Sequence, residues 1–303
     1  MRRTLLALLL LLSLIWGGSY YFIKVLLEAF EPWTIVFLRS ALGLAVIAAH
    51  MAWAGKPFGF RGMPWGAAAV MALVNTCLPW AIIGLSETRI ASGMASVLNA
   101  TTPLWTLALG IVFFGAAARR AHWIGMSVAV AGLVVLLGPG LTSGGRIDSR
   151  GAAGMLAASF LYGLGSQLSK ILLQKITPYQ ATFCTLLFSM LGSGVMALAT
   201  ERVSVRELAV PHHLSVLVGL GVFGSGVAYI LFYRIVQEGG PEFATMVTYL
   251  LPAFSLLWGF SLLGESVRLH MAAGLALILA GVFVSSRNAA RERAAESARA
   301  MSA

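Results

Sequence analysis

Apolar residues run along this chain in stretches of roughly twenty, closed by glycine, proline or charged residues. A helix needs about 20 predominantly apolar residues to cross the hydrocarbon core of a bilayer. Runs of that length with few charges read as membrane spans. Hydropathy and punctuation together predict ten spans, near residues 4–27, 33–53, 63–85, 90–115, 122–138, 151–171, 180–199, 213–235, 241–263 and 269–286. Connections are short, the longest near 139–150 and 200–212. From Arg287 the chain becomes a polar, helix-prone tail, 287–303.

Composition sharpens the reading. Of 303 residues, 59% are hydrophobic and 11% charged, about half the charged share of a soluble domain. The mean hydropathy of +0.87 agrees. Too little polar surface is available to cover a water-soluble globule, and the loops leave no room for a sizeable soluble domain. The net charge of +10 raises nucleic-acid binding as an option. Yet the basic residues form no patch with interleaved aromatics, so no nucleic-acid partner is expected. Loop charge beside a lipid bilayer explains them better.

If the N-terminus is cytoplasmic, the inner side carries Arg2, Arg3, Lys56, Arg61, Arg119, Arg120, Lys170, Lys175, Arg234, Arg287, Arg291, Arg293 and Arg299. The outer side carries Lys24, Arg89, Arg146, Arg150, Arg202, Arg206 and Arg268, and Arg39 falls within a span. The excess of positive charge favours both termini inside, in a bacterial cytoplasmic (inner) membrane. The N-terminal segment resembles a secretory signal, but Trp16, Tyr20, Tyr21 and Phe22 crowd the place of a cleavage site, so a retained helix is expected. Cys77 and Cys184 sit in apolar runs and imply no disulfide framework.

The chain repeats itself. A shift of 149 residues lays Pro103 on Pro252, Leu107 on Leu256, Gly110 on Gly259, Gly115 on Gly264, Gly125 on Gly274 and Gly132 on Gly281, without a gap. A shift of 146 lays Ser13 on Ser159, Gly17 on Gly163, Lys24 on Lys170, Pro32 on Pro178 and Phe37 on Phe183, with Trp16 on Tyr162. Two copies of a five-helix unit are expected, at 1–140 and 150–286. Five is odd, so the second copy enters the membrane from the opposite side. The fold class is therefore all-α: ten transmembrane helices in two inverted five-helix repeats. Such repeats place two similar bundles around a midplane cavity and suit alternating access.

Prolines punctuate the middle of the spans. A proline inside a helix frees the carbonyl four residues earlier. Pro79, Pro103 and Pro252 thus free the carbonyls of Asn75, Asn99 and Thr248, each a polar residue. Freed carbonyls are tolerated at membrane depth only against protein or water. Either these helix kinks line a cavity, or the polar side chains cross-link helices. The eighth span has no matching proline and carries Gly219, Gly221, Gly224 and Gly226, which suit close packing or a hinge.

LRSALGLAVI after Pro32 resembles a second-span signature. PLWTLALGIVFFG with HWIGMSVAVAGLVVL, and PAFSLLWGFSLLGE with HMAAGLALILAGVFV, resemble a paired Pro…Gly-Glu…Gly…Gly signature. Together they resemble the EamA-type transporters of the drug/metabolite transporter superfamily, in particular the branch exporting aromatic and neutral amino acids. The resemblance covers nearly the whole chain, twice. In the first copy the usual Gly-Glu is Gly115-Ala116, which counts against a coupling role for Glu265. The resemblance implies ten helices and export of small metabolites. It also implies a basic residue at Arg39, where a structural role competes with a functional one.

The ionisable residues narrow the chemistry. No acid sits centrally in a span: Glu28, Glu31, Glu87, Glu242 and Glu265 flank span ends, and Asp148 is the only aspartate. Small multidrug pumps of the superfamily use a mid-membrane carboxylate, and phosphate-sugar carriers need clustered basic residues; neither is evident. The central segments offer Trp16, Tyr20, Asn75, Trp80, Asn99, Tyr162, Ser166, Gln167, Tyr229, Thr248 and Tyr249. With Arg39, the first ten are the candidate substrate-binding residues. Aromatic faces suit an apolar side chain, and kinked backbone suits an ammonium and a carboxylate. The expected solute is small and neutral or zwitterionic, as in neutral or aromatic amino acids, and transport is expected to be facilitative for want of a buried carboxylate. Proton-coupled export of other metabolites or drugs, or a non-transporting receptor, is the alternative. There is no P-loop, HExxH or GxSxG, so no enzyme is expected, and no cofactor or metal. Spans 5 and 10 bear small-residue faces, Gly125 with Ala129 and Gly274 with Gly281, expected at the periphery or at a subunit contact; the protein is expected as a monomer or homodimer.

Overall fold

The computed structural model describes residues 2–116, 120–142, 148–202, 204–266, 268–281 and 283–284. The tail from Arg287 and the side chain of Tyr249 lie outside the described residues. Every regular element among the described residues is helical, and helix occupies part of each predicted stretch. In chain order these are α1 (Arg2–Leu26), α2 (Pro32–Trp53), α3 (Trp65–Glu87), α4 (Ser92–Phe113), α5 (Arg120–Thr142), α6 (Ser149–Leu172), α7 (Pro178–Thr200), α8 (Pro211–Gly239), α9 (Phe243–Leu263) and α10 (Leu269–Gly281). Seven of them, all but α5, α6 and α10, are long and apolar enough to cross a membrane. The apolar stretches of α5 (Trp123–Val135) and α10 are shorter. Helix α6 runs 24 residues but includes Arg150 and Lys170 with a buried polar row of Ser159, Ser166, Gln167 and Ser169.

Local chemistry sets the ends. Proline stands in the first turn of α2, α7 and α8, where its missing N–H costs nothing. Asp148 caps α6, its Oδ1 accepting from the backbone of Arg150 and Gly151 at 2.9 Å. The Gly151 N–H, foremost, holds this carboxyl below the ordinary carboxylate value. Thr177 and Gln180 form a reciprocal capping box at α7. Gly115 and Gly264 end α4 and α9 at φ of +69° and +65°, a conformation in which a Cβ is strained. The N–H after each closes the same turn: Ala116 donates to Gly110 O at 2.8 Å and Glu265 to Gly259 O at 3.0 Å.

The polarity runs opposite to that of a soluble domain. Large apolar side chains such as Val112, Phe113, Leu198, Phe260 and Leu269 are exposed, whereas Ser13, Ser40, Thr106, Ser159 and Thr182 are fully buried. This suits a hydrocarbon surround, in which helices satisfy their own backbone groups.

The packing is symmetric under exchange of one half for the other. Helix α1 packs on α9 as α6 packs on α4; α1 meets α8 as α6 meets α3; α2 meets α8 as α7 meets α3. The pairs α2–α7 and α4–α9 map onto themselves. Close approaches follow the same rule. A Cβ on Gly17 would lie 2.4 Å from Phe254, and one on Gly163 would lie 2.8–3.0 Å from Thr106 and Trp105; the shifts of 146 and 149 interchange these contacts. Likewise Gly132 abuts the carbonyl of Gly274, and Gly281 that of Gly125. The small-residue faces of α5 and α10 are thus buried on one another within the chain rather than left for a subunit contact, while the outer faces of the pair, with Trp123, Val130, Val134 and Leu269, are exposed.

Candidate functional site

Four helices depart from regular α geometry where the halves meet. Helix α3 contains a π-turn, Leu73–Cys77, and α8 a longer one, Gly219–Val227. Helix α4 is interrupted at Ala100–Thr101, just before Pro103, and α9 at Met246. A π-turn replaces i→i+4 bonds by i→i+5 bonds and is common at functional sites. Residues Asn75 and Gly224 stand 149 apart, one in each π-turn, and both offer their carbonyls to side chains. Tyr229 donates its hydroxyl to Asn75 O at 3.0 Å, and Trp16 donates Nε1–H to Gly224 O at 3.0 Å. So α8 matches α3 without a proline, a correspondence the glycine run alone did not show.

These departures surround a cavity whose empty space, open solvent included, is about 630 Å³. Ten of the eleven candidate residues line it: Trp16, Tyr20, Arg39, Asn75, Trp80, Asn99, Tyr162, Ser166, Tyr229 and Thr248. Gln167 is the exception. It is buried, but its Nε2 donates to Thr106 O at 3.0 Å and ties α6 to α4 away from the lining; the expectation for Gln167 is corrected accordingly. Sequence reasoning missed Ser19, Thr102, Phe232, Thr245 and the aliphatic residues Ile23, Ile83, Val247 and Leu251. Phe232 follows Tyr229 by three residues on one helix face, a signal that was present in the sequence.

One wall is aromatic. Trp80 and Tyr229, again 149 residues apart, meet edge to face with centroids 5.6 Å apart. Trp16 leans on Tyr229 at 5.8 Å and on Phe232 at 5.5 Å. Thr76 donates to the Tyr229 hydroxyl at 3.0 Å, so that ring is fixed at both ends of its O–H.

Arg39 is the charge of the site. It is 2% exposed, and its guanidinium lies 3.5 Å over the Trp80 ring. Nε donates to Ser225 Oγ at 3.0 Å, and Nη2 approaches Gly224 O at 3.5 Å. Ser225 is itself held, donating to Leu220 O at 3.1 Å inside the π-turn. Arg39 therefore neither snorkels nor caps a helix end. It is clamped to α8 beside the cavity.

Two of the three freed carbonyls, those of Asn75 and Asn99, are already engaged. Besides the Tyr229–Asn75 bond, Thr102 Oγ1 donates to Asn99 O at 2.8 Å and to Asn99 Oδ1 at 3.1 Å. Ser159 reaches the same Oδ1 at 3.3 Å. The kinked backbone is thus a less open receiver of an ammonium than its prolines imply.

A second correction concerns acids. No carboxylate lines the cavity, but Glu87, at the end of α3, is fully buried, and neither of its oxygens has a hydrogen-bond partner. It sits one turn beyond the lining residue Ile83. Lys24, one turn beyond Tyr20, donates to the Glu87 backbone carbonyl at 2.5 Å and to Ile90 O at 3.3 Å. Proximity to a chain end of the helix was legible; complete burial was not. Glu265, by contrast, is a capping residue. It accepts from Ser92 N at 2.9 Å, Ser92 Oγ at 2.8 Å and Gly93 N at 3.0 Å, holding the start of α4.

Comparison with known proteins agrees with this architecture. The chain is 26% identical over 263 residues to an uncharacterized inner membrane transporter, YedA, of Escherichia coli strain K12, covering 84% of this chain and 82% of that one. An uncharacterized transporter of Archaeoglobus fulgidus is 26% identical over 287 residues, covering 92% of this chain and 96% of its own. A solved crystal structure superposes with a TM-score of 0.73 at 20% identity, over 96% of this chain and 99% of the other, and so shares the fold. The EamA-like transporter family model matches twice, at residues 3–138 and 149–287. The chain is an all-helical, multi-pass membrane protein and belongs to the EamA-like transporter family.

Proposed function

We propose that this protein is a secondary transporter that carries small organic solutes across a bacterial cytoplasmic membrane by alternating access. The carrying observation is the cavity at the meeting of the two halves, walled by symmetry-related helix irregularities in α3 and α8. In this reading the chain crosses the bilayer ten times, in inverted units at 1–140 and 150–286, with both termini and the tail 287–303 cytoplasmic. Exchange of the two halves' conformations moves the cavity from one face to the other. The aromatic wall of Trp16, Trp80 and Tyr229 suits an apolar side chain, which supports aromatic and neutral amino acids or related metabolites as the solute class. Monomer and homodimer both fit.

Uptake of labelled solutes into proteoliposomes tests this. Saturable flux above protein-free liposomes is expected, falling about tenfold or more in Trp80→Ala and Asn99→Ala. Unchanged flux in both variants, with both folded, contradicts the site.

Coupling divides two readings. The absence of an acid from the cavity lining supports a facilitative carrier, whereas the buried, unpartnered Glu87 supports proton coupling. The facilitative reading expects no accumulation under an imposed pH gradient and equal flux in Glu87→Gln. Gradient-driven accumulation that Glu87→Gln abolishes establishes the other.

A further inference from the structure

The cavity holds a fixed positive charge and no negative one. An arginine guanidinium stays protonated in proteins and carries five N–H donors. Here Nε and Nη2 are directed to Ser225 and Gly224, and Nη1 donates to no described residue. No described carboxylate forms an ion pair with Arg39. The buried acid Glu87 has no hydrogen-bond partner and stands beside Lys24; it interacts with Arg39 through space but forms no ion pair with it. Glu265 is consumed at the start of α4. A buried charge held only by neutral groups is costly, and the partner that the described lining lacks is an anion. A carboxylate matches the guanidinium fork with two parallel hydrogen bonds.

An ammonium finds fewer open receivers. The Trp80 face, the natural seat for a cation, is covered by Arg39 itself at 3.5 Å. The carbonyls of Asn75 and Asn99 already accept hydroxyl donors. A second positive charge would also lie in a low-dielectric chamber with Arg39, where repulsion is strong.

From this we propose, resting on the transporter reading above, that the cavity selects organic monocarboxylates with an aromatic or branched apolar body. The carboxylate pairs with Arg39, the body lies against Trp16 and Phe232, and an α-amino group is dispensable. The structure thereby places net-anionic solutes ahead of zwitterionic amino acids of the same shape.

Three compounds of one skeleton separate the alternatives: phenylpropanoate, phenylalanine and phenethylamine, which are acid, zwitterion and amine. The full-length protein in liposomes at neutral pH is assayed for uptake of each and for mutual competition. The expected order is phenylpropanoate first, by about tenfold over phenylalanine, with phenethylamine neither carried nor competing. Arg39→Gln erases the preference for the acid. Arg39→Lys keeps the charge but not the fork, and reduces the preference. If those variants do not fold, the ranking on the unaltered protein decides. Carriage of phenylalanine or phenethylamine in preference to phenylpropanoate overturns this assignment while leaving the transporter reading intact. A preference for the acid that persists in folded Arg39→Gln overturns it as well. Failure of all three to exceed protein-free liposomes, together with the aliphatic series from acetate to leucine, sinks both.

Discussion

Arg39 shows how an intramembrane charge becomes tolerable. It is covered by Trp80, hydrogen-bonded by Ser225 and laid against the π-turn of α8, whose Gly224 carbonyl it also approaches. Ser225→Ala removes the Nε acceptor and leaves the guanidinium held by Trp80 and the long contact to Gly224 O. The expected outcome is a rise in the apparent KM of an anionic solute of about tenfold, as expected for a lost hydrogen bond to a charge, with little change in folded yield. An unchanged KM in a folded Ser225→Ala protein contradicts the positioning argument. Ser225 carries no sequence signal of its own, because its role depends on the i→i+5 register of the surrounding turn. Arg39 was legible as an anomaly, a charge two turns inside an apolar run, but its partner on α8 lies 186 residues away.

At the level of helices, the outcome divides by physical cause. Helix placement follows from apolar length and short connections, so α1 to α10 fall on the predicted stretches within a few residues, and seven of them are long and apolar enough to cross a membrane. The glycine ends at Gly115 and Gly264 were legible because one residue type tolerates that backbone. The π-turn of α8 was not, because it coincides with close packing and no breaker residue: Gly43 on α2 meets Gly221 O and Gly226 N at 3.0–3.1 Å from its would-be Cβ. Close helix contacts also give a stability prediction. A Cβ at Gly281 would stand 2.4 Å from Gly125 O and 2.5 Å from Ala129 N, so Gly281→Val must push α10 from α5. Overpacking of this kind costs about 1–3 kcal/mol, and a lowered thermal midpoint in detergent is expected; an unchanged midpoint contradicts the contact. The start of α6 responds to acid. Because the Asp148 carboxyl sits below its ordinary value of 3.8, its cap is complete above that value and is lost as pH falls through the lowered folded value. Amide exchange at Arg150 and Gly151, corrected for intrinsic rates, is expected to lose protection only in that acid range, and Asp148→Ala to lack the transition.

For the whole molecule, symmetry is the organising fact. The contacts of α1 with α9 and of α6 with α4 are one contact seen twice, as are those of Gly132 with Gly274 and Gly281 with Gly125. The repeat was readable from spacing alone because the shifts of 146 and 149 preserve glycine and proline, the residues whose backbone demands are least negotiable. The chemistry is less symmetric than the frame. Glu265 caps α4, whereas Ala116 stands at its counterpart; Arg39 has no basic equivalent at Thr185, 146 residues on. Of the two, Arg39 lines the cavity and Glu265 stands at the start of α4.

The central claim, that this shared cavity opens alternately to the two faces of the membrane, has a direct test. With Cys77 and Cys184 replaced by alanine, Ser19→Cys places a single thiol in the cavity wall. Sealed vesicles of known orientation are then labelled with a membrane-impermeant maleimide from each side in turn. Labelling from both sides, slowed on both by a carried solute, is the predicted result. A thiol reached from one side only, or from neither, under conditions in which solute flux is measured, contradicts the account.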